Sequence, residues 1–456
     1  MTKIFFSGIA GNGMNPLAQI MRLKGYEVVG SDRNFDTKAE GNEKIRAFLE
    51  NNLGVKIVPQ DGLGITDDIE TLYVTTALTD ANPDIKAAKE KNIPIKTRPD
   101  LLSQIFDEYE HNIAVGGTSG KTTTTAMIGY ALDIMGKKPC MIGGGMLKNY
   151  EDKNPMPYMI YNKGDICVIE ADESNGTILQ YNPYVSIINN ISVDHKPIEE
   201  IMAIFEQVAQ KPRHGLVLGK DCAYCQKLTQ NNNVKTVWFS TKDKTADFYA
   251  YDIKSLPNGT EYKLDGKTFH LKQIGEFNVE NALSAIAACS LLGIDKFETA
   301  KALEGFEGTK RRLELIGSKN NINVINDFAH NPEKILASTT ALKQYAGRLL
   351  IMFQIHGPDP AKLYGLQTME SFAKTLDKND MLFVPEVFYK TENDKVSGKD
   401  MVEHAQKLGV NVTFTQTKEK ARELILKNMK AGDRVIIMGA RDNSLEDLCK
   451  SILKEI

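Results

Sequence analysis

The chain has little of what would place it outside the ordinary globular class. Among 456 residues there is one tryptophan, and 56 lysines and arginines face 59 aspartates and glutamates, a formal net charge of −3. No basic stripe dominates any segment, so the balance gives no reason to expect a nucleic-acid partner. Long apolar runs are missing too. The most apolar stretch, NALSAIAACSLLGI, is too short and too polar to span a bilayer, and no membrane partner is expected. The start, MTKIFFSGIAGNGM, lacks the apolar segment and small-residue cleavage site of an export signal, so a cytoplasmic address is expected. Internal repeats and low-complexity tracts are absent. Cysteine is scarce, six in all, and several lie in apolar runs, as Cys167 does in ICVIEA and Cys289 in AIAACSLL. Buried free thiols of a reducing compartment account for them. Cys222-Ala-Tyr-Cys225 is a lone CxxC. A zinc site would need a second pair or nearby histidines, which leaves a redox role as the alternative to two buried thiols.

What the chain has throughout is alternation. Short runs rich in Ile and Val (KIFFSGI, YEVVGSD, TLYVTTAL, HNIAVGG, DICVIEAD, VSIINNI, GLVLGK, NVINDFA, RLLIMFQIH, MLFVPEV, RVIIMGA) are separated by helix-like segments. This is the βαβ signature of parallel sheets with helices on both faces. The length suggests about three domains. IPIKTRPDLLSQIFDEYE closes a first unit near residue 107, because a fresh strand–loop–helix begins at His111. A second break is expected in KRRLELIGSKNNINV, where the polar turn Ser318–Asn321 precedes another strand. Residues 236–275 alternate with period two and carry Pro-Asn-Gly and Asp-Gly turns, which predicts antiparallel hairpins attached to the central domain. The expected fold class is α/β in three domains. Residues 1–107 and 317–456 are read as Rossmann-like, and 108–316 as a phosphate-loop, mononucleotide-binding sheet.

The strongest local signal is HNIAVGGTSGKTTTT, residues 111–125. Glycines that let a backbone approach closely, at the start of a helix, make an anion site. A lysine directly after the last glycine adds a point charge for β/γ-phosphates, and the next threonine can ligate Mg²⁺. Gly117, Thr118, Ser119, Gly120, Lys121, Thr122 and Thr123 supply that pattern in the short form GGTSGKT, since Val115 stands where the longer spacing has its first glycine. A nucleoside triphosphate is the favoured ligand. Two strand ends suit its metal. In VIEADES, Glu170, Asp172 and Glu173 offer carboxylates, and in NNISVDHKP a strand ends in Asp194 with His195 following. At the amino terminus Gly8, Gly11 and Gly13 follow a strand, a helix runs from Pro16 to Leu23, a second strand from Glu27 to Gly30, and Asp32 ends it. That is βαβ geometry for a dinucleotide or a nucleoside-diphosphate group, with GxxGxG spacing. A nicotinamide ligand remains open at this point.

Taken in order, these segments resemble the Mur ligase family, ATP-dependent amide-forming enzymes of bacterial cell-wall precursor synthesis. GxxGxGM with GSD is similar to the domain that holds a UDP-sugar in the ligases that add L-alanine to UDP-N-acetylmuramate, and TTALTDANPDI to their S-S-A…N-P-E segment. GTSGKTTTT resembles the ATP loop, with Ser119 where those ligases have histidine; IEADESNG and NNISVDH resemble the magnesium segments. GEFNVENALSAIAA, FEGTKRRLEL, NDFAHNPEKI and FQIH resemble the later family motifs. The resemblance implies a ligase that activates a carboxylate with ATP as an acyl phosphate and gives it to an amine. It implies that Lys121 holds phosphates, that Thr122 and Glu173 ligate one Mg²⁺, and that His195 ligates a second. Asn278 and Asn281 would contact nucleotide, Arg312 its phosphates, Asp327 the ribose, and His330 the active centre. Gly8, Gly11, Gly13, Met14, Ser31, Asp32 and Thr76 would line the UDP-sugar site, and His356 the acceptor site. IMAIFEQVAQ holds no lysine, so the carbamylated lysine of sister ligases is not expected. By their residue types alone, Asn278 could cap a helix, Arg312 could be solvated beside Arg311, and Asp327 could be a strand-end acid.

The resemblance implies L-alanine as the default acceptor, toward which GNGM and IEADESNG lean, while FQIHGPDPA leaves another acceptor open. The alanine-adding ligases follow F-Q-P-H with R-Y-T-R, and Gly357 and Pro360 stand at both arginine positions. KRRLEL and DFAHNP lean instead toward the ligases that attach a murein tripeptide to the same UDP-sugar. The partners expected are thus a UDP-N-acetylmuramate-like sugar and an amino acid or short peptide, with the chain a monomer or homodimer. Two readings of another class are a nicotinamide oxidoreductase built on residues 4–32 and a silent nucleotide-binding regulator.

Overall fold

The computed structural model describes residues 1–37, 42–173, 176–193, 197–229, 233–256, 259–388, 396–440, 442 and 444–456. The chain forms two compact units. One comprises Met1–Tyr251, Leu264–Phe269 and Glu280–Glu307, the other Asp252–Lys263, His270–Val279 and Gly308–Ile456. Three sheets run through them.

The amino-terminal sheet is built from β1 (Lys3–Ser7), β2 (Glu27–Ser31), β3 (Lys56–Val58), β4 (Thr71–Val74) and β5 (Ile95–Thr97), in the order β3-β2-β1-β4-β5. All its pairs are parallel. This is the doubly wound order, whose ligand crevice lies outside the carboxyl ends of the strands where the order reverses. Ile4, Phe5 and Phe6 of β1 are fully buried, as a strand covered on both faces requires. The helix Arg98–Asp107 follows β5, and β6 starts at His111.

The central sheet contains β6 (His111–Gly116), β7 (Cys140–Ile142), β8 (Met159–Tyr161), β9 (Ile166–Glu170), β10 (Val185–Ile188), β11 (Gly215–Gly219), β12 (Lys235–Ser240), β13 (Phe248–Leu256), β14 (Gly259–Leu264) and β15 (Lys267–Leu271). Their order is β15-β14-β13-β12-β11-β10-β6-β9-β7-β8. β6 lies between β9 and β10, in parallel register with both. That placement brings the ends of all three strands, each bearing one of the sequence signals, to one edge. The window expected to begin as hairpins at 236 instead opens with β12 parallel to β11 and β13 parallel to β12. The alternation of β12 reflects one covered face, not a hairpin. β14 and β15 do meet at the two-residue turn Asp265-Gly266, both at positive φ, the geometry of a tight hairpin.

The third sheet holds β16 (Glu314–Lys319), β17 (Ile322–Asp327), β18 (Leu349–Gln354), β19 (Met381–Pro385), β20 (Val412–Gln416) and β21 (Arg434–Gly439), ordered β16-β17-β21-β18-β19-β20. It is parallel except for β16, which pairs antiparallel with β17. The polar turn read as a break is the turn of that hairpin, with Asn320 and Asn321 both at positive φ. Among the described residues no helix is long and apolar enough to cross a membrane.

Candidate active site

The buried run of β6 delivers the chain to Gly117 at φ +122°, where an added Cβ would lie 3.0 Å from the Asn189 amide nitrogen. Gly120, at φ +85°, caps the helix Lys121–Ile134, and a Cβ there would fall 2.3 Å from Asn281 Oδ1. Neither position admits a side chain without displacement. The helix start presents amide groups with no intrahelical partner, a ready anion site. Asn190 holds the preceding turn from behind. Its carbonyl accepts from Thr118 N at 2.9 Å, its Oδ1 accepts from Ser119 N at 2.8 Å, and its Nδ2 donates to Ser119 O at 3.2 Å. The Thr118 and Ser119 amides are thus committed to the fold. Thr123 is buried, and Thr124 accepts from Asn189 Nδ2 and donates to Asn281 Oδ1. Ser284 donates to Asn189 Oδ1 at 2.7 Å and completes the network beneath the loop.

On the ligand side, Lys121 Nζ lies 2.8 Å from Glu173 Oε2 and donates to Gly117 O at 2.6 Å. Burial pushes the Glu173 carboxyl above its ordinary value, and the Lys121 charge opposes that shift. Thr122 Oγ1 donates to Glu170 Oε1 at 2.9 Å, and Glu170 Oε2 accepts from Gly144 N at 2.7 Å. Glu170 thus faces Thr122, and Glu173 faces Lys121. A hydroxyl and a carboxylate are hard oxygen donors of the kind Mg²⁺ takes, so the residues present fit that ion. Among the described residues no three His, Cys, Asp or Glu side chains are grouped to hold a metal by themselves. Asp194 and His195 lie outside the described residues.

The amino-terminal turn is compact. Gly8, at φ +85°, donates to Ser31 O; Gly11 donates to Gly8 O; Met14 donates to Gly11 O and is buried. Arg98 Nε donates to Gly13 O at 3.2 Å, a contact that no motif signals. The Asp32 carboxylate accepts from Ala10 N and Asn34 N, each at 2.9 Å, and burial raises its pKa. Ser31 is fully buried, and its hydroxyl donates to Asp84 Oδ2 at 2.5 Å beside Ser7 at 2.6 Å. Ser31 and Asp32 therefore shape the turn, Asp84 ties two strands together, and Thr76 is exposed in the turn after β4.

In the second unit the ends of β17 and β18 gather a separate cluster. The Arg311 and Arg312 guanidinium carbons lie 4.9 and 5.1 Å from the centre of the Phe328 ring. His330 packs edge-on against Phe328 at 5.3 Å and against His356 at 5.0 Å. His330 Nδ1 is 2.8 Å from Phe328 O, which makes Nδ1 the donor and leaves Nε2 as the acceptor. Burial, then Lys334, push its pKa down to about 3, so the ring is neutral at pH 7. Asp327 Oδ1 accepts from Leu313 N at 3.2 Å, and burial raises its pKa. Asn278 does not cap its helix, which starts at Glu276; its Nδ2 donates to Ile274 O. Lys121, Thr122, Glu170, Glu173 and Asn281 thus meet in one unit, and Arg312, Asp327, His330 and His356 in the other.

Three family models match the chain: the Mur ligase family catalytic domain over residues 3–110, the Mur ligase middle domain over 115–289, and the Mur ligase glutamate ligase domain over 311–441. The chain is 32% identical to a UDP-N-acetylmuramate–L-alanine ligase of Sulfurihydrogenibium sp. (strain YO3AOP1), with 99% of this chain and 97% of that protein covered. It is likewise 32% identical to the ligase of the same name from Dictyoglomus turgidum, over 97% and 98% of the two chains. Among solved structures it is similar to the UDP-N-acetylmuramate–alanine ligase of Thermotoga maritima, with a TM-score of 0.79, 25% identity, and 100% and 99% of the chains covered.

Proposed function

The chain belongs to the Mur ligase family, and from that premise we propose that it joins L-alanine to the carboxylate of UDP-N-acetylmuramate at the expense of ATP. It is an ATP-dependent, ADP-forming ligase. The observation that carries the choice of substrates is the end-to-end match to relatives named for this reaction.

The chemistry follows from the weakness of a carboxylate as an acyl donor. Its charge repels an amine, and it has no good leaving group. Transfer of the γ-phosphoryl group of ATP makes an acyl phosphate, and the alanine amine then displaces phosphate. Alignment and charge neutralisation supply most of the catalysis. In this reading Lys121 leaves Glu173 and turns to the β- and γ-phosphates, while the amide groups after Gly120 receive phosphate oxygens. Thr122 and Glu170, with Glu173 freed, are the residues that would hold Mg²⁺, which when bound supplies positive charge to the phosphates. His195 is assigned a second ion by family resemblance. From the second unit, Arg312 serves the phosphates, Asp327 the ribose, and the neutral His330 accepts a hydrogen bond through Nε2. Asn278 and Asn281 serve the nucleotide, and the turn Gly8–Met14 with Thr76 serves the UDP-sugar.

Phosphate release tests the reading. With ATP, Mg²⁺ and UDP-N-acetylmuramate, L-alanine is expected to drive stoichiometric ADP and phosphate formation. Release with an alanyl-glutamyl tripeptide and none with alanine overturns the acceptor. That second acceptor is favoured by one observation, the Gly357 and Pro360 that replace the two expected arginines after His356.

A further inference from the structure

The CxxC pair that the reaction does not use sits against the strut of the phosphate loop. Cys222 follows β11, is partly exposed, and its Sγ accepts from Ile191 N at 3.2 Å. The same sulfur is 3.4 Å from Ile191 O. Ile191 is the middle residue of three. On one side Asn190 carries the three hydrogen bonds to Thr118 and Ser119; on the other, Ser192 N donates to Thr118 Oγ1 at 3.0 Å. Cys222 therefore grips the segment that shapes the loop. Cys225, one short helical turn later, is fully buried, its thiol directed to Ile188 O at 3.9 Å, and it stands near enough to Cys222 to hold down the pKa of that thiol.

We propose that Cys222 is a thiol-modification site for low-molecular-weight disulfides, resolved by Cys225, and that the resulting Cys222–Cys225 disulfide loosens the phosphate loop. The surroundings favour the attacking form. The Cys225 hydrogen bond and the amides of Ile191, Cys225 and Tyr224 hold the Cys222 pKa down to about 6, against the effect of burial. Cys225 is shifted upward, first by the hydrogen bond to Cys222 and then by burial, as suits a resolving thiol that reacts second.

The Cys222 thiolate attacks one sulfur of R–S–S–R. A mixed disulfide forms on Cys222, and the first R–S⁻ departs and takes up the proton that Cys222 gave. Cys225 loses its proton and attacks Cys222 Sγ, expelling the second R–S⁻, which takes that proton. Two protein thiols lose two electrons and two protons, and the small disulfide becomes two R–SH. Once bonded to Cys225, the Cys222 sulfur has no negative charge to hold Ile191 N. The 190–192 segment is then free to shift, and the Thr118 and Ser119 amides with it.

The test uses the full-length reduced protein and oxidised glutathione at neutral pH. Trypsin cuts after Lys220 and Lys227, so one peptide carries both cysteines. That peptide is expected to lose two hydrogens in mass, reversibly with a reductant. Cys225→Ser is expected to stop at a glutathione adduct on Cys222, and Cys222→Ser to form neither product. Hydrogen exchange of the Thr118 and Ser119 amides is expected to speed up at least about tenfold on oxidation of the wild type and to stay unchanged in treated Cys222→Ser. This readout needs no nucleotide, so its failure is distinct from a failure of the ATP reading. No disulfide in the folded protein overturns the proposal, and so does a disulfide that leaves loop exchange unchanged.

Discussion

Replacing Lys121 by methionine removes one partner of the least exposed ion pair around the phosphate loop. The Lys121 and Glu173 side chains are 14% and 8% exposed, and the ammonium also bonds Gly117 O. Removing one member of a buried pair costs about 3–5 kcal/mol, because the other charge stays in place without compensation. Residual exposure puts this pair at the low end, about 3 kcal/mol. For a unit this large, about 2 °C of melting temperature goes with each kcal/mol, so a fall of about 6 °C is expected. The sign with pH is fixed by Glu173. Burial already raises its carboxyl above the ordinary value of 4.5, and loss of Lys121 raises it further. The native state then binds the proton more tightly than the unfolded chain does. The variant is therefore least penalised below the ordinary glutamate value, and it loses stability as the pH rises through the raised native value. The assay is thermal unfolding of the nucleotide-free protein in a metal chelator from pH 4 to pH 8. Adding Glu173→Gln should recover most of the loss, because no charge is then stranded. A Lys121→Met protein that melts with the wild type at pH 8 refutes the pair and its electrostatic account.

Thr122→Val should raise the Mg²⁺ concentration needed for half-maximal turnover by at least about tenfold while leaving the melting temperature near that of the wild type, because it deletes an oxygen donor and keeps the shape. Asp84→Ala strands the Ser7 and Ser31 hydroxyls without their acceptor and should cost about 2–4 kcal/mol, read as a lower melting temperature with the phosphate loop intact. His330 is held down to about 3, below the ordinary 6.5, so its contribution is present above pH 6.5 and is lost as the pH falls through 3. Against His330→Asn, the wild type should therefore lose about 1.4 kcal/mol per pH unit across that window in acid unfolding; parallel curves would show that the ring titrates normally.

Strands buried on both faces were readable because their apolar runs are continuous, and the glycine loop because Gly117 and Gly120 adopt backbone angles that few other residues take. β12 was misjudged because a parallel strand with one covered face alternates just as a hairpin strand does. The short strands β7 and β8, three residues each, carry too little pattern to be recognised. In the site, the motif points to the strand end, and the loop's path sets Thr122 against Glu170 and Lys121 against Glu173, two carboxylates three positions apart. Asn189 and Asn190 were legible as part of NNISVDH, yet their task of bonding the loop from behind depends on β10 lying beside β6. Arg98 comes to Gly13 from 85 positions away, and no local pattern reports such a contact.

The central claim is that ATP makes the acid acylating by phosphorylating it. Oxygen-18 placed in the lactyl carboxylate of UDP-N-acetylmuramate tests this directly. With Mg²⁺, ATP and L-alanine, each phosphate released should carry one labelled oxygen taken from that carboxylate. Phosphate released without label would mean that water, not the substrate acid, receives the phosphoryl group, and would contradict the account.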